Sequence, residues 1–261
     1  MTVRTPRLAA FARAALPPLS LFVAGVLLWE AVVRVFEVPR FLLPAPSVVA
    51  ARIAADWRHM ADNVGMTMLA ASLGFVTGTV AACVAAVLFL YSRSLERAFF
   101  PWAIILKTIP VLAIAPLLTI WLGFGIAPKV AIAAIACFFP TLVNVTRGLR
   151  SLDASLLDFM QVIQAPPLQV FWHARLYAAA PYLFSAMKIT VGMAVIGAIV
   201  AEFTGANVGI GTLIVNAGYQ QDTAMLFSAI TVTSLATIVL FYLVTALEKL
   251  MLFWPGARLD R

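Results

Sequence analysis

Residues 66–91 read MTMLAASLGFVTGTVAACVAAVLFLY, 26 residues without a charge. A helix of about 20 apolar residues crosses the roughly 30 Å of hydrocarbon in a bilayer. A surface helix of a soluble protein carries its apolar residues on one stripe only. This run has none of that segregation, so it reads as a membrane span. The helix is the default there, because in lipid it satisfies its own backbone hydrogen bonds.

Working outward, the same pattern recurs. Runs at about 17–33, 98–122, 130–146, 178–201 and 223–247 carry at most one charge each: Glu30, Lys107, none, Lys188 and none, respectively. Hydrophobic residues make up 63% of the 261 and charged residues 11%, against about 25% charged in soluble domains. The expectation is an all-α integral membrane protein with six transmembrane helices in one domain, 17–247, between tails at 1–16 and 248–261. Cys83 and Cys137 both lie inside apolar runs. They read as small buried hydrophobes rather than a disulfide.

Lys and Arg orient the bundle, since cytoplasmic loops carry the excess. With the N-terminus inside, the cytoplasmic segments hold eleven: Arg4, Arg7, Arg13, Arg93, Arg97, Arg147, Arg150, Arg175, Lys249, Arg258 and Arg261. The external segments hold five: Arg34, Arg40, Arg52, Arg58 and Lys129. Both termini and the long loop 147–177 are therefore expected in the cytoplasm. The net charge of +7 marks those loops rather than a nucleic-acid surface. Outside, Ser47 is expected to N-cap a helix through Val48, Val49, Ile53 and Trp57. That helix would meet an external partner or lie in the membrane interface.

Several features inside the membrane invite a role. Gly74 and Gly78 form G-x-x-x-G, which suits close helix packing or a dimer contact. Pro110 and Pro116 break the third span, making it either a pathway-lining helix or a bent one. Glu202 is near a span end, followed by Gly205, Gly209 and Gly211 and a short external or re-entrant piece through Thr212 to Asn216. An ionisable group there is either functional or a wetted structural residue at headgroup level. Lys107 and Lys188 are placed to snorkel to the interface.

Chemistry is otherwise sparse. No glycine is followed by lysine, so no phosphate-binding P-loop is present. His59 and His173 fall on opposite sides of the expected bundle, and no carboxylates pair within a span. The chain reads as a conduit without its own engine. The amphipathic segment Asp158-Phe159-Met160-Gln161-Val162-Ile163-Gln164-Ala165-Pro166-Pro167-Leu168-Gln169-Val170-Phe171-Trp172-His173-Ala174-Arg175-Leu176 is the place for an engine to dock. A coupled secondary transporter or a membrane scaffold remains the alternative.

Ordered motifs bring a family into view. They are Leu42-Leu43-Pro44-Ala45-Pro46-Ser47, then Ala113-Ile114-Ala115-Pro116-Leu117-Leu118 with Trp121-Leu122-Gly123-Phe124-Gly125. Phe138-Phe139-Pro140-Thr141-Leu142-Val143-Asn144 and Gly148-Leu149-Arg150-Ser151 follow. Ile196-Gly197-Ala198-Ile199-Val200-Ala201-Glu202-Phe203 with Gly209-Ile210-Gly211 completes the set. Over about residues 20–250 the chain resembles permease subunits of bacterial binding-protein-dependent ABC importers. The similar branch is the one for nitrate, taurine and sulfonates. Gly218-Tyr219-Gln220-Gln221-Asp222-Thr223-Ala224 and Leu247-Glu248-Lys249 are more similar to members serving thiamine precursors or riboflavin.

The resemblance implies a type I importer permease in the bacterial inner membrane, multi-pass, paired with a second permease subunit, identical or different. Two ATPase subunits inside would bind ATP and Mg, this chain holding no cofactor itself, and a solute-binding protein would dock outside. It further implies that Asp158, Gln164, Ala165, Pro166, Leu168, Phe171 and Trp172 couple to the ATPase, with Leu168, Phe171 and Trp172 as the apolar stripe. Gln164 stands where the family has glycine, which puts the positive-φ turn there in question. Pro166 is expected to start the coupling helix. Pro110, Pro116, Asn144 and Glu202 are the candidate pathway or gate residues.

Overall fold

The computed structural model describes the backbone of residues 7–252, together with their side chains except those of 7–15 and 106. Its helices are α1 (Arg7–Val35), α2 (Pro46–Ala55), α3 (Trp57–Tyr91), α4 (Arg93–Thr108), α5 (Val111–Leu122) and α6 (Ile126–Arg150). They continue with α7 (Ala154–Val162), α8 (Pro167–Val170), a π-helical turn (Phe171–Arg175), α9 (Leu176–Glu202), α10 (Ile210–Tyr219) and α11 (Thr223–Met251). The described residues include no strand. Of the expected tails, residues 1–6 and 253–261, with Arg4, Arg258 and Arg261, lie outside the described residues.

Among the described residues five helical stretches are long and apolar enough to cross a bilayer: Leu16–Val35, Trp57–Tyr91, Ile126–Arg150, Pro167–Glu202 and Thr223–Met251. The expected third span, 98–122, is instead two helices. Ile109 is extended, with φ −72° and ψ 126°, because the residue before a proline is driven out of the helical region. Pro110 then caps α5. At 1.5 Å per residue α4 and α5 reach only about 24 and 18 Å, so neither spans alone. Pro116, by contrast, sits within helical α5 and causes no break.

The core is the α3, α6 and α9 triple, built from small residues. Ala70, Ala71, Ala133, Ala194 and Ala198 are all essentially inaccessible and pack together with Phe75, Cys137 and Phe184. Without a hydrophobic drive between helices in lipid, close van der Waals approach is what holds them. Gly74 and Gly78 serve this contact: a Cβ on Gly78 would stand 2.5 Å from Ala134 O and 2.9 Å from its Cα. The G-x-x-x-G motif is thus filled by α6 of the same chain. α5 joins through Ala115 against Ile132 and Ala201.

α1 and α2 attach at one end. Ser47 does not cap α2. Ala45 occupies that position and Pro46 is the first helical residue, where a missing N–H costs nothing. Ser47 instead donates its N–H to Glu30 Oε2 at 2.9 Å and its hydroxyl to Glu30 Oε1 at 2.7 Å. Arg34 closes the group by donating from Nε to the same carboxylate. Glu30 is therefore a fastener between α1 and α2. Arg52 bridges onward to Asp222 at 2.9 Å, and Asp222 caps α11 by accepting the Met225 N–H.

Candidate functional site

Three places carry the polar chemistry. The first is the segment 151–176. Asp153 caps α7, accepting from Ser155 N. α7 ends in a turn in which Gln164 adopts φ +52° and Ala165 donates its N–H to Met160 O at 3.0 Å. The left-handed turn thus forms without glycine, at a modest cost for a residue with a Cβ. Pro166 is the N-cap of α8 and Pro167 its first residue, so the helix starts one position later than expected. α8 lasts one turn and runs into the π-helical turn, a form found mostly as single turns at functional sites.

That geometry sorts the expected stripe. Leu168 is 65% and Trp172 55% exposed, and Phe159, Val162 and Ile163 join them on the open surface. Phe171 does not belong to this face. It is half-buried, packs with the α3–α6 cluster and meets the Tyr91 ring at 6.4 Å between centroids. Asp158 is exposed on α7, and Ala165 is half-buried.

Behind the segment, its two ends are pinned to α6. Arg175 Nη1 donates to Leu149 O at 2.8 Å. Arg150 grips Glu96 with both arms, Nη1 to Oε1 at 2.8 Å and Nη2 to Oε2 at 2.7 Å. These hydrogen bonds hold the Glu96 carboxyl below its usual range. A depressed carboxylate is lost only as the pH falls through its folded value, so the pair stays charged at neutral and mildly acid pH.

The second place lies at the opposite end of the bundle. Glu202, at the end of α9, is fully enclosed, its side chain 0% exposed, and pairs with Lys129 Nζ at 3.0 Å. Lys129 is not in an exposed loop: it lies in the first turn of α6 and is itself buried. It also donates to Val208 O. Thr67 Oγ1 lies 2.9 and 3.0 Å from the two Glu202 oxygens. Gly211 N donates to Oε2 at 2.7 Å, placing the carboxylate at the positive end of α10. Asn63 Oδ1 accepts the Gly209 N–H at 2.8 Å, and Thr67 accepts from Ile210 N. Gly209, at φ +137°, leaves room for the carboxylate, which a Cβ there would strike. Glu202 is thus not wetted but enclosed by protein. It binds α3, α6, α9 and α10 into one unit.

The third place is a cavity of about 480 Å³ beside the break in the third span. Its wall includes Lys107, Ile109, Val111, Trp121, Phe138 and Phe139. Lys107 Nζ stands 5.0 Å from the Phe139 ring centroid, a cation–π contact. Pro110 lies between two wall residues and Pro116 beside Leu117, another. Asn144 is elsewhere, half-buried on α6 and donating to Pro140 O at 2.8 Å. The four expected pathway residues are therefore not brought together. Lys188 is not merely snorkelling either, since it pairs with Glu248 at 3.0 Å.

Sequence reading missed Lys129, Asn63, Thr67 and the Arg150–Glu96 pair. One signal was available: a lysine just after Pro128 opens a helix, where the dipole disfavours a cation. Such a residue calls for a buried carboxylate nearby. Among the described residues no group of His, Cys, Asp and Glu could hold a metal ion.

A bundle of long apolar helices with an exposed amphipathic segment at one end is the architecture of a membrane transport component. The chain belongs to the family of binding-protein-dependent transport system inner membrane components, whose model matches residues 74–252. It is a permease subunit of an ABC importer. The riboflavin transport system permease protein RibX of Chloroflexus aurantiacus is 32% identical, over 97% of this chain and 96% of the relative. The formylaminopyrimidine transport permease protein ThiX of Halalkalibacterium halodurans is 31% identical, over 92% and 96%. In fold, the chain is similar to the inward-facing MetNI methionine ABC transporter, at TM-score 0.58, 19% identity, and coverage of 74% and 93%.

Proposed function

We propose that the segment 151–176 docks an ATPase subunit in the cytoplasm, and that ATP-driven movement of that subunit alternates access to a pathway beside α4, α5 and α6. The reading rests on Leu168 and Trp172, two large apolar side chains held in the open, one on the one-turn helix α8 and one on the π-helical turn after it. Interface energy concentrates on a few such anchors. The opposite end, with α2, α10 and the Lys129–Glu202 unit, would receive a loaded solute-binding protein. A second permease subunit would complete the pathway. ATP and Mg would bind in the ATPase, outside this chain. Both termini would be cytoplasmic.

For the solute, the reading favours a flat nitrogen heterocycle of the vitamin-precursor kind. RibX and ThiX are named for riboflavin and a formylaminopyrimidine. The Trp121, Phe138 and Phe139 walls offer π-faces that a planar ring can stack upon.

The test is co-purification of the tagged chain with its ATPase in mild detergent. Leu168→Asp combined with Trp172→Asp should reduce recovery of the ATPase by about 100-fold, as for loss of a hot spot worth roughly 2–4 kcal/mol. Permease yield should be unchanged, because both side chains face outward. Unchanged recovery of the ATPase would remove the docking assignment. Phe171→Asp is a poorer probe, because it would also disrupt packing on Tyr91.

A further inference from the structure

α4 and α5 are held in different ways. α5 is fixed to the bundle: Ala115 is fully buried against Ile132 and Ala201, and the Thr119 hydroxyl lies 3.2 Å from that of Thr204. α4 buries only Ala103 among its described residues. Its other attachments include the half-buried Leu95 and Phe100 on the α3–α6 cluster, the Phe100–Phe139 ring contact at 6.2 Å, Lys107 over Phe139, and Glu96 in its first turn. The link between the two helices is the non-helical pair Ile109–Pro110, with ψ of 126° and 122°. Pro110 has no N–H to donate back into α4, and its carbonyl accepts only forward, from Ala113 N in α5.

The far end of α4 is tied to the docking segment. Arg150 is the last residue of α6, and the segment begins at the next residue. Its planar guanidinium bridges Glu96 bidentately and also donates to Phe89 O at 3.3 Å. At the segment's other end, Arg175 holds Leu149 O. One point on α6 therefore gathers both ends of the segment and the start of α4.

We infer that Arg150 and Glu96 are positioning residues for transport: they make α4 a lever that follows the docking segment and swings about Ile109–Pro110 while α5 stays with the core. Because α4 and α5 share a cavity wall, that swing reshapes the cavity. The inference rests on the docking reading above. The bidentate fork makes the geometry stiff, and a lysine cannot reproduce it.

The experiment uses the assembled transporter in lipid vesicles, with Cys83→Ser and Cys137→Ser as background and a single reporter, Trp102→Cys, on the exposed face of α4. Labelling by a maleimide dye is timed before and after trapping the ATPase with Mg-ATP and vanadate. Trapping should change the labelling rate by about tenfold, the size of a contact-level coupling. With Arg150→Gln, and also with Arg150→Lys, the change should shrink to within about twofold, while ATPase co-purification is kept. The exchange Glu96→Arg with Arg150→Glu should restore most of the response. An Ile120→Cys reporter, exposed on α5 and outside the cavity wall, should respond weakly in every background.

The inference is overturned if Arg150→Gln responds like the parent, or if the exchanged pair fails to restore a response although docking is intact. It is overturned equally if Arg150→Gln loses the ATPase, since Arg150 would then only shape the loop. Failure of the docking reading looks different: Leu168→Asp would leave the parent's trapping response untouched.

Discussion

Lys129→Met is expected to destabilise the permease by about 3–5 kcal/mol, the cost of leaving one member of a buried ion pair without its partner. The magnitude follows from enclosure: the side chains of Lys129 and Glu202 are 6% and 0% exposed. Without the ammonium, the Glu202 carboxylate keeps, among the described residues, Thr67 and the Gly211 N–H, and Val208 O loses the Lys129 donor. The loss should appear as a lower midpoint in thermal unfolding of the detergent-solubilised protein. Adding Glu202→Gln should recover more than half of it. Glutamine still offers an oxygen to the Gly211 N–H, and removing both charges from a buried pair is often close to neutral. A midpoint unmoved by Lys129→Met, or a double variant worse than the single one, would mean that the pair does not hold this end together.

Gly78→Leu should have a comparable effect through sterics alone. The first added atom would meet the Ala134 carbonyl oxygen and Cα, which are backbone and cannot turn aside. α3 would have to withdraw from α6, opening the contact that Gly74 also serves. Overpacking typically costs about 1–3 kcal/mol, and pushing apart two helices of the central triple should exceed the upper figure. Gly65 supplies a control on the same helix. It has open space where its Cβ would be, so Gly65→Ala should stabilise by up to about 1 kcal/mol, the helix-propensity difference. The comparison is read from folded yield by size-exclusion chromatography and from unfolding midpoints. Equal behaviour of Gly78→Leu and Gly65→Ala would contradict the packing account.

Much of the architecture was legible in the chain because lipid imposes a simple rule. The charge-free run at 66–91 had to be helical throughout, and α3 contains it entirely. The third span was harder to read. Its hydropathy is continuous, but hydropathy averages over the joint at Ile109–Pro110, where backbone sterics prevail. Three prolines stood in that run, Pro101, Pro110 and Pro116, and only Pro110, whose predecessor is extended, broke it. Pro116 is accommodated within α5. Buried charge was the other blind spot. Lys129 counted as an external residue by position, yet its ammonium turns inward to a carboxylate 73 residues away in sequence. No local pattern records such a pairing. In the segment 151–176, periodicity marked an amphipathic piece, while the side each residue faces depends on a π-helical turn. That turn rotates Phe171 toward Tyr91 and leaves Leu168 and Trp172 outside. The turn at Gln164 forms without glycine, closed by the backbone bonds from Gln164 N to Gln161 O and from Ala165 N to Met160 O.

The central claim is that an apolar wedge at 159–172 faces the cytoplasm and is covered by the ATPase. A single cysteine at Leu168→Cys, in the cysteine-free background, tests it directly with a membrane-impermeant maleimide. Labelling should proceed in inside-out vesicles, stay negligible in right-side-out vesicles, and be blocked when the purified ATPase is added first. Labelling from the outer face, or labelling indifferent to the ATPase, would contradict the account.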